Sequence, residues 1–93
     1  MSEQQERLPV DVYEFIAHQI DVLSSIAWSK MGLQPDMMTG QMVKDLDQAK
    51  IAVDAAGALA PLLEPHLDDS DRRQIQNLVR DLRINYVEKA SNQ

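Results

Sequence analysis

The chain has 93 residues, of which 44% are apolar, 4% are aromatic and none is cysteine. That fits one small folded domain with an aliphatic and alanine-rich core, and it excludes disulfides, thiolate metal sites and cysteine nucleophiles. A formal net charge of −6 repels phosphate backbones, so nucleic acid is not expected as a partner.

No apolar run approaches the length of a membrane span, and the opening "MSEQQERLPV" lacks the basic and apolar regions of a secretion signal. The expectation is a cytoplasmic protein without a membrane partner. Residues 1–8 are polar and aperiodic and read as a loose tail, leaving a single helical domain over 9–90 and a frayed end at 91–93.

The first helix is expected over about 11–31. Asp11 is its cap, Glu14 completes a capping box, and Val10 and Phe15 are placed to form a hydrophobic staple. Val12, Ile16, Ile20, Leu23, Ala27 and Met31 recur at spacings of three and four along its apolar face. Gly32 is placed to close this helix in the left-handed conformation, with Trp28 and Leu33 at the two positions that meet in a Schellman motif. "QPDM" then reads as a tight turn with Pro35 at its second position. Asp36 or Thr39 caps the second helix, and Gly40 completes the joint. The conspicuous stretch "WSKMGLQPDMMTG" therefore reads as a chain reversal. Its methionines serve flexible packing sooner than copper(I) binding.

The second helix is expected over about 41–63. Leu46, Ala49, Val53, Ala56, Ala60 and Leu63 form one seam in an a/d pattern. Ile51, Ala55, Ala58 and Leu62 form another on the opposite side, so this helix needs neighbours on two sides. Pro61 should kink it, and Pro65 marks the exit. The third helix is expected over about 69–89, capped by Asp68 with Asp69 and Asp71 in the first turn. Ile75, Leu78, Val79, Leu82 and Tyr86 share a face, and Ile84 sits nearly opposite. "KASNQ" should fray.

With the elements placed, "PVDVY", "MGLQPDMMTG", "KDLDQAKIAVD" and "DLRINYV" together resemble the bacterial domain-of-unknown-function family 1844, a group of short, uncharacterised helical proteins. The resemblance covers Pro9 to Val87. It implies an all-α fold and a cytoplasmic bacterial setting, and it supplies no activity, substrate or catalytic residue. The family pattern has proline after the Asp36 equivalent; Met37 stands there in this chain, which weakens Asp36 as a helix cap.

Three constellations could carry chemistry. Asp11, Glu14, His18, Asp21 and Ser25 share one stripe of the first helix, where carboxylates and an imidazole could hold a divalent metal or a small ligand. No second helix supplies matching ligands, and the rest of that helix is apolar over an arc of about 240°, so the stripe reads as its solvated face. Arg72, Arg73, Arg80 and Arg83 could hold phosphates or nucleic acid. Pairing with Asp47, Asp54, Asp69 or Glu88 is the preferred reading, with Arg83 and Asn85 making specific buried contacts. Ser25 is two turns from His18, out of reach for a nucleophile–base pair, and His66 lacks an evident partner. No metal site, cofactor or catalytic residue is assigned, and an enzyme is not expected.

What remains is excess apolar helix surface. The expected architecture is an all-α, three-helix antiparallel bundle completed by dimerisation. Ile51, Ala55, Ala58, Leu62 and Ile84 should form the interface of a homodimer that acts by self-association, with another protein as a second expected partner.

Overall fold

The computed structural model describes residues 8–92 and contains three α-helices: α1 (Val12–Lys30), α2 (Leu46–Leu63) and α3 (Asp69–Ser91). A single 3₁₀ turn, Glu64–His66, joins α2 to α3, and no strand occurs among the described residues.

Each helix start is fixed by an aspartate. The Asp11 carboxylate accepts from the N–H groups of Tyr13 (2.9 Å) and Glu14 (3.3 Å), and the Asp68 carboxylate accepts from that of Asp71 (2.8 Å). Both are the expected caps; they satisfy amides that a first helical turn leaves without partners. The hydrophobic staple is not formed. Val10 is 89% exposed and Phe15 is 56% exposed, so neither shelters the other. Val12, placed on the apolar face by its spacing, is also largely exposed.

The second helix departs from its expected start. It begins five residues after Gln41, at Leu46, and its cap is Asp45 rather than Thr39 or Asp36. Asp45 Oδ1 accepts from the Gln48 N–H (3.1 Å), while the Gln48 side chain donates to Asp45 Oδ2 (3.0 Å). The reason is local. Asp36 already caps a separate turn, which frees 41–45 to run irregularly back to α1. There the Asp45 N–H donates to the Lys30 carbonyl (2.8 Å), setting the start of α2 beside the end of α1. At the other end of the pair, the Tyr13 ring stacks on His66 with centroids 4.3 Å apart. Those two contacts make α1 and α2 antiparallel.

α2 lies in the middle, packed against both α1 and α3, while α1 and α3 scarcely meet. Its expected first seam is the buried one: Ala49, Val53, Ala56, Ala60 and Leu63, joined by Ala52. Opposite it, Ile20, Ser24, Ala27 and Met31 of the α1 region and Val79 and Leu82 of α3 complete the core. Ser24 satisfies its buried hydroxyl by donating to the Ile20 carbonyl (2.7 Å). Among the described residues, the largest fully buried side chains are Ile20, Met31, Leu63 and Leu82. At about 1.5–3 kcal/mol each, they leave much of the core to alanines, whose main effect is to let helix axes approach closely.

Pro61 lies inside α2, which continues through it to Leu63 before the 3₁₀ turn takes over. Arg72 then locks the α2–α3 joint. Its Nε donates to the Glu64 carbonyl (3.0 Å), one terminal nitrogen donates to the Leu67 carbonyl (2.7 Å), and the other meets the Asp69 carboxylate (2.8 Å). The expected Arg72–Asp69 ion pair is thus present; the carbonyl contacts were not foreseen. α3 runs two residues past its expected end, to Ser91, and the Asn92 N–H still reaches the Glu88 carbonyl (3.2 Å). Most of "KASNQ" is therefore helical, with Gln93 and residues 1–7 of the expected tail lying outside the described residues.

Because the guanidinium donates to two carbonyls that receive no other side-chain hydrogen bond among the described residues, Arg72→Ala should lower unfolding free energy by about 1–2 kcal/mol. Arg72→Lys should recover only part of it, since one ammonium lacks the planar fork. Urea denaturation of the three chains checks this; an unchanged midpoint in Arg72→Ala would show the clamp to be idle.

Candidate interaction surface

The joint Trp28–Gly40 is built as a chain reversal. The Leu33 N–H donates to the Trp28 carbonyl (3.0 Å) and the Gly32 N–H to the Ser29 carbonyl (2.9 Å), with Gly32 at φ +84°. These are the two bonds of a Schellman close, in the register expected from the sequence. Pro35 does not sit at the second position of a closed turn. The turn starts two residues later, over 36–40: Asp36 Oδ1 accepts from the N–H groups of Met38 (2.8 Å) and Thr39 (2.9 Å), and the Asp36 carbonyl accepts from the Gly40 N–H (2.8 Å). Thr39 Oγ1 accepts from the Gln41 N–H (3.2 Å), and Gly40 takes φ +73°. Lys44 packs its stem over Gly32.

The polar stripe of α1 is turned to solvent at Asp11, Glu14, His18 and Asp21, with Ser25 half-buried. No group of three His, Asp or Glu side chains placed to hold a metal occurs among the described residues. His66, read as lacking a partner, stacks on Tyr13. That pairing depends on the antiparallel packing of α1 and α2, and no local pattern announces it.

The arginines are arranged differently from their expected pairing. Arg80 meets its neighbour Asp81 at 3.6 Å, and Asp54 is held by Lys50 at 2.7 Å within α2. Asp47, Glu88, Arg73 and Arg83 form no ion pair among the described residues, and α3 has none to α2. Arg83 is exposed rather than buried, and Asn85 uses its amide on the Asp81 carbonyl of its own helix (2.8 Å).

Arg83 nonetheless has a fixed place. Its guanidinium lies over Gly57 so closely that a Cβ there would collide with Nη2 and stand 3.2 Å from Cζ. A glycine in a helix interior costs about 0.5–1 kcal/mol relative to alanine, and here its missing side chain is what seats the guanidinium on α2. Beside it runs a groove of about 350 Å³ bordered by Pro61, Glu64, Val79, Arg80 and Ile84.

Uncovered large apolar side chains occur around the start of α1 (Leu8, Val10, Val12, Phe15), in the 31–45 connection (Met37, Met38, Met42) and on the second seam of α2. Ile51 is 66% exposed and Leu62 is 59% exposed, Ala58 is open, and Ala55 is half-buried. Ile84 on α3 is 56% exposed. On the α1 side, Ile51 borders a further groove of about 400 Å³ with Leu23, Ile26 and Ala52, walled at one end by Asp47 and Gln48. Isolated exposed apolar residues are ordinary; a continuous helical stripe of them flanked by two grooves is not.

The sequence model of the family described as "Domain of unknown function (DUF1844)" matches residues 12–88. The chain belongs to the DUF1844 family. The matched segment takes in all of α1 and α2 and nearly all of α3, in agreement with the phrases noted in the sequence. No curated protein and no solved structure matches the chain. DUF1844 carries no assigned activity in its description, so the surface must be read from its own chemistry.

Asp36 offers a test of the joint. The N–H groups of Thr39 and then Met38 stabilise its ionised form and hold the carboxyl below its usual range. A folded-state value below the unfolded one means that the turn gains from Asp36 fully above the usual carboxylate range. The gain is lost as pH falls from that range through the lowered value. The Met38 and Thr39 amide resonances should therefore titrate together, with a midpoint below that of an ordinary aspartate, and Asp36→Asn should abolish the transition. A midpoint in the usual range would contradict the bonding.

Proposed function

We propose that this DUF1844 protein is a non-catalytic helical docking protein that self-associates as a homodimer in the cytoplasm and presents the assembled surface to other proteins. One observation carries the reading: the outer face of α2 is exposed at Ile51, Ala58 and Leu62 and only half-covered at Ala55, although the inner face of the same helix is buried from Ala49 to Leu63.

The physical case is one of surplus. A small chain with four large fully buried side chains has little reserve of burial. Covering the outer face of α2 removes apolar area from water at roughly 25 cal/mol per Å². A symmetric pair does so twice with a single patch. Standard interfaces cover about 800 Å² per partner, so a second copy would have to cover Ile84 and the two bordering grooves together with the α2 stripe. Polar groups near the stripe lie at its edges, as at Asp47, Gln48 and Asp54, where a rim would stay wet.

Sedimentation equilibrium at micromolar concentration should give about twice the 10.5 kDa chain mass. Ile51→Asp and Leu62→Asp should each shift the chain to monomer while keeping its helical circular-dichroism signal, because both side chains point away from the folded core. A well-folded wild-type monomer across that range would refute the reading.

A further inference from the structure

We propose that the groove between α2 and α3 is a binding site for an organic monocarboxylate with an apolar body, its carboxylate held at the Arg83 end. The site does not rest on self-association. At 100° per residue, Gly57 lies about 130° round α2 from the centre of the Ile51–Leu62 stripe. A copy on that stripe reaches the groove across its Ile84 border, whereas the ligand enters beside Gly57.

The groove has room and a suitable floor. Its volume of about 350 Å³ falls at the lower end of the range for small-molecule clefts. On the α2 side its border runs from Gly57 to Glu64, a span of about 10 Å at 1.5 Å per residue. Buried Ala60 and Val79 give it an apolar base, with Pro61 and Ile84 exposed at its edges.

Charge is distributed unevenly along it. Arg83 has neither a hydrogen-bond acceptor nor an ion-pair partner among the described residues; the guanidinium hydrogen bonds of α3 all belong to Arg72. Arg80, one turn earlier, stands 3.6 Å from Asp81, beyond hydrogen-bond reach. Two guanidinium forks therefore border the groove with donors to offer, and a carboxylate accepts such a fork in two bonds. Glu64 borders it too, and its carboxylate has no ion-pair partner among the described residues. One negative charge fits the Arg83 end; a second would be repelled by Glu64.

Most exposed arginines are merely solvated and mobile, but this one is placed. Alanine at position 57 would favour the helix more than glycine does. The atoms its methyl would displace are the far end of the Arg83 side chain, which can swing away, and not backbone. The glycine thus weakens α2 slightly, and what it supplies is a seat for the guanidinium beside an open groove. A donor already held in position loses less freedom when a carboxylate binds.

Octanoate is the probe, titrated into the full chain while the Arg83 Nε–H and the Val79 and Ile84 methyl resonances are followed. Binding should be roughly millimolar, the scale expected for a ligand of this size. Octan-1-ol lacks the charge, and suberate directs a second carboxylate toward Glu64; each should bind at least about fivefold more weakly. Arg83→Gln should weaken octanoate about tenfold. Gly57→Ala should weaken it similarly while its urea midpoint stays at or above that of wild type, a combination that a purely structural glycine would not give. Octan-1-ol binding as tightly as octanoate would overturn the proposal, as would unchanged octanoate binding in either variant. A lowered midpoint in Gly57→Ala would make the seat structural instead, and suberate binding as tightly as octanoate would overturn the monocarboxylate assignment. A monomeric wild-type chain would remove self-association and leave these expected results as they are.

Discussion

Close approach of helices over alanine is the constraint from which the rest of this fold follows. Ala49, Ala52, Ala56 and Ala60 line the inner face of α2, and Ser24 and Ala27 lie on the facing part of α1. Small side chains permit tight axes and good dispersion contact, but they remove little area from water per residue. Four large side chains, Ile20, Met31, Leu63 and Leu82, are fully buried around that alanine strip. Such a core holds three helices together without enclosing them. α2 is left as a middle helix with one face sealed and the other wet, and that asymmetry is the feature from which a function can be argued.

Orientation of the helices is controlled at their joints. Asp11, Asp45 and Asp68 begin the three helices, and Gly32 ends the first with a Schellman close. The long connection 31–45 is held at both ends, by Gly32 and by the Asp45–Lys30 backbone bond, with Asp36 organising the turn between them. At the short α2–α3 connection, proline and arginine divide the work. Pro65 lies in the 3₁₀ turn where the regular helix has ended, and Arg72 donates to the Glu64 and Leu67 carbonyls of that joint.

Much of this could be read from the sequence because it is local. A cap, a glycine close and an a/d seam each depend on residues within one or two turns, and the Asp11 and Asp68 caps, the Gly32 close and the inner α2 seam all stand where the spacing puts them. The start of α2 was misplaced because two capping signals compete. Asp36 and Thr39 precede a run with helical residues, yet Asp45 immediately precedes Leu46, the first residue of the seam, and its carboxylate accepts from the Gln48 N–H of the first turn. Features joining distant segments left no such trace: Tyr13 on His66, Arg72 on two carbonyls, and Arg83 over Gly57 depend on how the helices pack. Gly57 was the one available hint, a glycine inside a helix that otherwise favours alanine.

The candidate surface divides in the same way. The stripe Ile51–Ala55–Ala58–Leu62 was visible as a second apolar periodicity, and in the folded chain it faces solvent. Arg83 is expected from the sequence to make a buried contact, whereas the fold leaves it exposed and seated over Gly57, without an ion pair among the described residues. The central claim is that the outer face of α2 is covered by another copy. Solvent paramagnetic relaxation of the Ile51 and Leu62 methyl groups, compared at low and high protein concentration, addresses it most directly. The account predicts protection of both methyls at high concentration while Val10 stays accessible; equal accessibility of all three at every concentration would contradict it.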